Sequence, residues 1–294
     1  MPRFHWLSFF LFIGILFYAS AVKFQAVYLS PILFFWLFKR RFLTAILVSA
    51  LFIGSVFQFN ALVSSPSNSW QFVKLFDLTG ISLQEKENLI PSFAQGPSFS
   101  MQHLEKFYSP RRVDDLVFVP QPTLKTTHNR EELQALQNLW WDAVLKYPAS
   151  YFKHRFAIFY TQLNTSPLKP LNSISDQQMI QGPTLKIIKL LDHLGIYTFF
   201  SELSKFIWYL PLSIIYLLIS ARLLNKPQYS NLASPVFFMN LSGLSLIAIL
   251  FVFSMAAEAR YIYLAQCCVH FSHPLMLILL FNKKSNSKIP PYLF

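Results

Sequence analysis

The residues able to do chemistry are few, and the sharpest group lies late in the chain. Glu258 and Arg260, in the run Glu258-Ala259-Arg260-Tyr261, are the only charged residues between two long apolar segments. Ionisable groups at the edge of a membrane are costly unless they are paired or have a functional role. An arginine can bind a phosphate through two parallel hydrogen bonds. The group therefore predicts either a phosphate-binding site lined by Tyr261 or a structural Glu–Arg pair beside interfacial aromatic residues.

A second candidate is Asp77, a lone acid in the apolar run Phe76-Asp77-Leu78-Thr79-Gly80-Ile81. It can serve as a base, as a metal ligand or as a partner for an arginine near the membrane surface. The structural alternative is a turn or cap residue. We assign Asp77 and Glu258 as candidate catalytic residues.

A third candidate is the pair His154 and Arg155, in a helix expected from Ala149 to Leu163. We expect its aromatic residues, together with Leu163, to form one apolar face of a helix in the headgroup plane, where Lys153, His154 and Arg155 meet lipid phosphate. His154 and Arg155 thus join Arg260 and Tyr261 as candidate substrate-binding residues, although an interfacial helix explains them without catalysis. The aromatic members are Phe152, Phe156, Phe159 and Tyr160.

The elements that must position these residues follow from the distribution of apolar segments. Hydrophobic residues form 54% of the chain and charged residues only 13%, about half the usual charged share of a soluble domain. The pattern predicts an all-α, multi-pass transmembrane bundle of about six spans with one large, mostly helical extracytoplasmic insert. The domains expected are 1–62, 63–195 and 196–294, and the spans expected are 4–22, 24–38, 42–62, 196–221, 233–256 and 261–281.

The orientation of the spans follows from the lysines and arginines at their ends. These residues favour a cell-membrane protein with both termini in the cytoplasm and the insert outside, and they explain most of the net charge of +12 without a nucleic-acid partner. The first span, which ends in Ala19-Ser20-Ala21, also has the pattern of a signal peptide. The basic residues on the cytoplasmic side are Arg3, Lys39, Arg40, Arg41, Arg222, Lys226, Lys283, Lys284 and Lys288.

Local signals predict helices within the insert. Asn129 followed by Arg130-Glu131-Glu132 fits a capping box, and apolar residues repeat at helical spacing from Leu133 until Pro148. A further helix is expected from Thr184 to Leu194. No metal or other cofactor is expected, because the chain has seven glycines, no phosphate-cradling glycine loop and no cysteine pair at metal-binding spacing.

Three stretches together resemble the multi-pass bacterial glycosyltransferases of the GT-C type, which use polyprenyl-phosphate sugars. The first is the Glu-x-Arg-Tyr element in Ala257–Leu264, and the others are Phe76–Ser82 and Trp141–Tyr151 with His154-Arg155. The resemblance covers the chain from about Phe42 to its end, as the C-terminal part of such an enzyme. It implies that Glu258, Arg260 and Tyr261 contact the lipid phosphate or the sugar, and that Asp77 supports the external site.

The sequence departs from that family at its N-terminal side. The family's catalytic acid typically lies in the first external loop, whereas the corresponding loop here, about Lys23-Phe24-Gln25, has no acid. The chain can therefore be a truncated or split half of an enzyme, with a protein partner in the second case. It can also be a noncatalytic partner in the assembly of envelope polysaccharide, or a transporter. Membrane lipid is an expected partner in every case, and a lipid-linked sugar donor is expected in the enzyme.

Overall fold

A computed structural model describes residues 6–22, 24–38, 41–63, 69–166, 190, 193–257 and 259–281. This part of the chain is all-helical, as predicted, and its only β features are two isolated bridges, Gln95 to Leu124 and Arg112 to Ala256. The α-helices in chain order are α1 Trp6–Val22, α2 Ser30–Phe38, α3 Phe42–Val63, α4 Trp70–Glu85, α5 Met101–Phe107, α6 Asp114–Val117, α7 Arg130–Lys146, α8 Pro148–Leu163, α9 Ile196–Leu203, α10 Tyr209–Leu224, α11 Ser230–Phe253 and α12 Ala259–Phe281. Single 3₁₀ turns or short 3₁₀ helices occupy Phe24–Leu29, Ser92–Ala94 and Phe206–Trp208.

Four helical stretches in the described part of the chain are long and apolar enough to cross a membrane. They are Phe42–Val63, Phe206–Leu224, Ser230–Phe253 and Tyr261–Phe281. A membrane span needs about 20 predominantly apolar residues, and each stretch meets or nearly meets that length. The four agree with the third, fifth and sixth predicted spans and with the later part of the fourth.

The first two predicted spans form shorter apolar helices, Phe10–Ala21 and Val27–Phe38. The second begins as a 3₁₀ stretch and continues as α2, which has only nine residues. At 1.5 Å per residue an α-helix of that length covers about half of a bilayer core. A count of six spans therefore remains a prediction.

The fourth predicted span is divided where polar residues interrupt it. Helix α9 ends at Leu203, and a new helical stretch begins at Phe206. Between them the Nζ atom of Lys205 donates to the carboxylate of Glu202 at 2.6 Å, and the indole of Trp208 donates to the Glu202 carbonyl at 3.1 Å. A local ion pair of this kind is unsuited to the apolar core of a bilayer, so the span starts after it.

The described chain divides into two compact units. The first comprises Met1–Ser67, Leu210–Ile247 and Leu264–Phe294, and the second comprises Asn68–Tyr209 and Ala248–Tyr263. In the first unit, α1, α2 and α3 pack around Phe34, Phe52 and Val56, with the Phe34 and Phe52 rings edge to face at 5.4 Å.

Polar side chains join the candidate spans within the first unit. Asn240 of α11 accepts a hydrogen bond from Ser213 of α10 at 2.9 Å and donates to Ser272 of α12 at 2.8 Å. All three residues are buried. Gly243 brings α11 close to α12, because a Cβ atom there would lie 3.3 Å from the backbone of Ala265. Small residues and interhelical hydrogen bonds of this kind hold helices together where apolar burial cannot distinguish protein from lipid.

The second unit is built around α4, the most completely buried helix of that unit. Ten of the residues of α4 between Gln71 and Ser82 are buried. Helices α7 and α8 pack on α4, and the Asn129 side chain caps α7 by accepting from the Glu131 N–H at 2.9 Å. The predicted capping box forms only in part, since Glu132 accepts from Thr127. The helix predicted for 184–194 lies largely outside the described residues.

Replacing Asn240 with alanine is expected to loosen the three-helix contact of the first unit. The change removes both hydrogen bonds and takes away the acceptor of the Ser213 hydroxyl, so we expect a loss of about 1–2 kcal/mol. The measurement is the melting temperature of the purified protein in detergent. Asn231→Ala, at an exposed position of the same helix, is the matched control. Equal melting temperatures for the two variants would contradict the assignment.

Candidate functional site

Asp77 lies in the middle of α4 and is completely buried. Asp77 is therefore not a turn or cap residue, which was the structural alternative that the sequence allowed. A carboxylate can be held in such a place only if hydrogen bonds and an opposite charge replace its water. The site is the set of side chains that do this.

Three side chains from two other helices converge on the Asp77 carboxylate. The Nη2 atom of Arg155 lies 2.6 Å from Asp77 Oδ2, and the indole of Trp140 donates to the same oxygen at 2.9 Å. The Nε2 atom of His154 lies 3.3 Å from Oδ1, but this contact is too poorly aligned to count as a hydrogen bond. The structure therefore brings together three of the predicted site residues, Asp77, His154 and Arg155, as one buried cluster.

Arg155 extends the cluster to a segment from late in the chain. Its Nη1 atom donates to the Ser254 carbonyl at 2.8 Å, while Nη2 holds Asp77. Its Nε atom makes no hydrogen bond to any residue within the described ranges. A planar guanidinium with fixed donor directions can bridge two groups in this way, whereas a lysine cannot. Arg155 thus ties α4 to the end of α11.

Burial keeps His154 neutral. Burial is the main cause that lowers the pKa of His154, and the carboxylate of Asp77 acts in the opposite direction. Burial also raises the pKa of Tyr108, so its hydroxyl stays protonated and donates to His154 Nδ1 at 2.8 Å. Nδ1 is then the acceptor nitrogen, and the ring proton belongs on Nε2, facing Asp77.

Gly80 makes room for this imidazole. A Cβ atom at Gly80 would lie 2.0 Å from His154 Nδ1, a distance that no side-chain adjustment short of moving the ring would relieve. The glycine in the run around Asp77 is therefore a packing requirement of the cluster, with no need for an unusual backbone angle.

Helix α8 buries two of the three basic residues that the sequence placed at the lipid headgroups. Its buried face carries Ser150, His154, Arg155, Ile158 and Gln162, along with Leu163. The expected lipid-phosphate contacts of His154 and Arg155 are therefore wrong, because both side chains are about 1% exposed. The apolar face that the sequence predicted lies largely outside: Phe152, Phe156 and Tyr160 are each more than half exposed. The charge of Asp77 decides this orientation, since it needs Arg155 inside.

The segment Ser254–Ala257 breaks the helix between α11 and α12 and is fixed by backbone hydrogen bonds. The Val113 N–H donates to the Met255 carbonyl at 3.2 Å, and the Ala257 N–H donates to the Arg111 carbonyl at 2.6 Å. Thr165 adds a hydrogen bond from its hydroxyl to the Ala257 carbonyl at 3.1 Å. A loop is thereby held in a defined position directly before the Glu-x-Arg-Tyr element.

The remaining predicted site residues lie immediately after this segment. Glu258 is outside the described residues, and Arg260 is described only as backbone, in the first turn of α12. Tyr261 is half-buried and opens a candidate membrane span. The backbone of Arg260 and Tyr261 therefore belongs to the same unit as the buried cluster, whose Arg155 binds the Ser254 carbonyl.

Sequence reasoning missed Tyr108, Trp140 and Ser254. Trp140 falls within the apolar repeat that predicts α7, and its indole N–H gives no sequence signal of its partner. Tyr108 and Ser254 are far from Asp77 in the chain, so only the tertiary structure brings them to it.

The chemistry open to the cluster is limited by its burial. Within the described ranges no group of three or more histidine, cysteine, aspartate or glutamate residues could hold a metal ion. Asp77 Oδ2 already accepts two hydrogen bonds, and neither Asp77 nor His154 reaches solvent. In this arrangement the cluster positions the loop at Ser254, and direct proton transfer by Asp77 remains a prediction from the sequence.

A double-mutant cycle on Asp77 and Arg155 tests this positioning role. Asp77→Asn or Arg155→Gln leaves the other charge buried and unpaired, so each is expected to cost about 3–5 kcal/mol of folding free energy. The double variant is expected to cost less than the sum of the two, measured by thermal or denaturant unfolding. The control is Asp115→Asn, which removes an exposed ion pair with Arg112 and should cost no more than about 1 kcal/mol. Additive single effects would argue against the pair.

The lowered pKa of His154 predicts a pH-dependent stability. The unfolded state, where histidine titrates near 6.5, binds a proton that the folded state resists, so His154 makes the fold lose stability as the pH falls below about 6.5. His154→Gln is expected to lower the melting temperature at neutral pH and to flatten its decline on acidification. His128→Gln, at an exposed position, is the control. An unchanged slope in His154→Gln would contradict the burial of a neutral imidazole.

The chain has no match among protein-family models, among curated proteins or among solved structures.

Proposed function

We propose that this protein is an integral membrane glycosyltransferase, or part of one, that moves a sugar from a polyprenyl-phosphate donor on the extracytoplasmic side. The observation that carries the proposal is the position of the Glu-x-Arg-Tyr element. It follows a loop bound to α8 through Arg155 and Ser254, and its Arg260 and Tyr261 lie at the start of a helix able to cross a membrane. In this proposal the element lies at the depth of the phosphate of a lipid-linked sugar.

The proposal includes a topology of about six spans in the cell membrane. Both termini are cytoplasmic, and the large insert is outside. The basic residues at the span ends support this orientation. The four long apolar helices agree with a membrane location.

In the proposed reaction an acceptor hydroxyl attacks the anomeric carbon of the sugar. A new C–O bond forms as the bond from that carbon to the phosphate oxygen breaks, and the lipid phosphate leaves with the bonding electrons. Arg260 stabilises the negative charge on the leaving phosphate, and Tyr261 lines the path of the lipid or the sugar. Glu258 is the candidate acceptor of the hydroxyl proton. Asp77, His154 and Arg155 act on the reaction as positioning residues through Ser254.

The second candidate function is that of a noncatalytic partner in the assembly of envelope polysaccharide. One observation favours it: the predicted catalytic Asp77 is fully buried and bound to Arg155 and Trp140. In that case the second unit presents a surface to a protein partner, and the Glu258–Arg260 pair has a structural role.

The test is sugar transfer from a labelled polyprenyl-phosphate sugar in vesicles that contain the full chain. Arg260→Ala is expected to lower the transfer rate by about a hundredfold or more, because a charged donor to the leaving group is lost, and Arg260→Lys should restore only part of it. Arg222→Ala, in the last turn of α10, is the matched control and should leave the rate unchanged. Absence of transfer across a panel of donors, with folded protein, would overturn the enzyme in favour of the noncatalytic partner.

A further inference from the structure

The outward face of α8 is unusual for a helix on a water-soluble surface. Phe152, Phe156 and Tyr160 follow one another at a spacing of four residues, and their exposed fractions are 58%, 59% and 54%. Residues four apart lie on one side of a helix, so the three rings form a continuous aromatic row, and the Phe156 and Tyr160 rings are 6.4 Å apart. The polar side chains of the same helix that contact Asp77, namely His154 and Arg155, are buried on its opposite face.

We infer that this aromatic row of α8, defined as Phe152, Phe156 and Tyr160, is inserted in the lipid bilayer at headgroup depth. An amphipathic helix normally turns its apolar side to the core and its polar side to water. Helix α8 is reversed because its interior must supply Arg155 to a buried carboxylate. A reversed helix is stable where the medium outside is itself apolar.

The contacts of α8 within the second unit place it at a membrane boundary. The Phe159 ring lies 5.3 Å from the ring of Phe251, and Phe251 belongs to the last turn of the candidate span Ser230–Phe253. Arg155 and Thr165 bind the loop that follows this span. Helix α8 therefore packs beside the point where the chain leaves an apolar helix.

The charges of α8 fit a lipid surface better than a generic protein partner. The helix contains no acidic residue, and Lys153 is exposed between the aromatic positions. Aromatic side chains are enriched at membrane interfaces, where lysine can extend to lipid phosphate. Lysine near the surface also attracts anionic lipid.

The experiment places a fluorescent probe at each position of the row in the full chain. Cys267 and Cys268 are replaced by serine, and single cysteines are introduced as Phe152→Cys, Phe156→Cys and Tyr160→Cys for labelling with an environment-sensitive dye. The protein is reconstituted in nanodiscs of phosphatidylcholine and phosphatidylglycerol. Phe118→Cys, at another phenylalanine of the second unit that is 67% exposed, is the matched control.

We expect blue-shifted emission at the three positions. We also expect quenching there by lipids that carry a nitroxide in the headgroup or upper acyl chain, with loss of quenching by aqueous iodide. Iodide quenching at the row as strong as at position 118, without lipid quenching, would overturn it. Blue-shifted emission without lipid quenching, accompanied by dye-to-dye energy transfer between copies, would also overturn it and would indicate a contact between two chains. The result does not depend on whether the protein transfers sugar.

Discussion

The buried ion pair between Asp77 and Arg155 is the constraint on which the second unit is organised. A carboxylate in the middle of a buried helix is tolerated only with a cation and hydrogen-bond donors around it. Arg155 supplies the cation and Trp140 supplies a donor. The same arginine also donates to the Ser254 carbonyl. These contacts connect α4, α7, α8 and the loop after α11. Arg155 is one of several contacts that hold this loop, together with the backbone hydrogen bonds of Met255 and Ala257.

That constraint also explains why α8 is reversed. Turning its aromatic side inward would bury more apolar area, but it would expose Arg155 and leave Asp77 without a counter-charge. Leaving Asp77 buried and unpaired would cost about 3–5 kcal/mol, which opposes the gain from burying the rings more fully. The rings are therefore left outside, where a membrane surface would shield them from water. The ion pair inside the unit and the lipid outside it together explain the orientation of α8.

The first unit meets a related requirement with uncharged groups. Asn240 links Ser213 and Ser272 across three apolar helices, and Gly243 permits close approach to Ala265. Apolar side chains such as Leu and Phe pack equally well against another helix and against lipid tails. In an apolar medium, hydrogen bonds and close approach therefore decide which helices associate. Both units therefore use a few buried polar side chains to choose helix partners, charged in one and neutral in the other.

The sequence by itself determined the helical class, the long apolar helices and the cap of α7, because these follow from composition, segment length and local hydrogen bonding. It also singled out Asp77, His154 and Arg155, although not as one cluster. Only the tertiary structure decided that they meet and that α8 buries its polar side. Periodicity predicts which residues of a helix share a face, but the direction of that face is set by what it contacts. Here the contact is a single carboxylate distant in the chain, whose burial has no local signature.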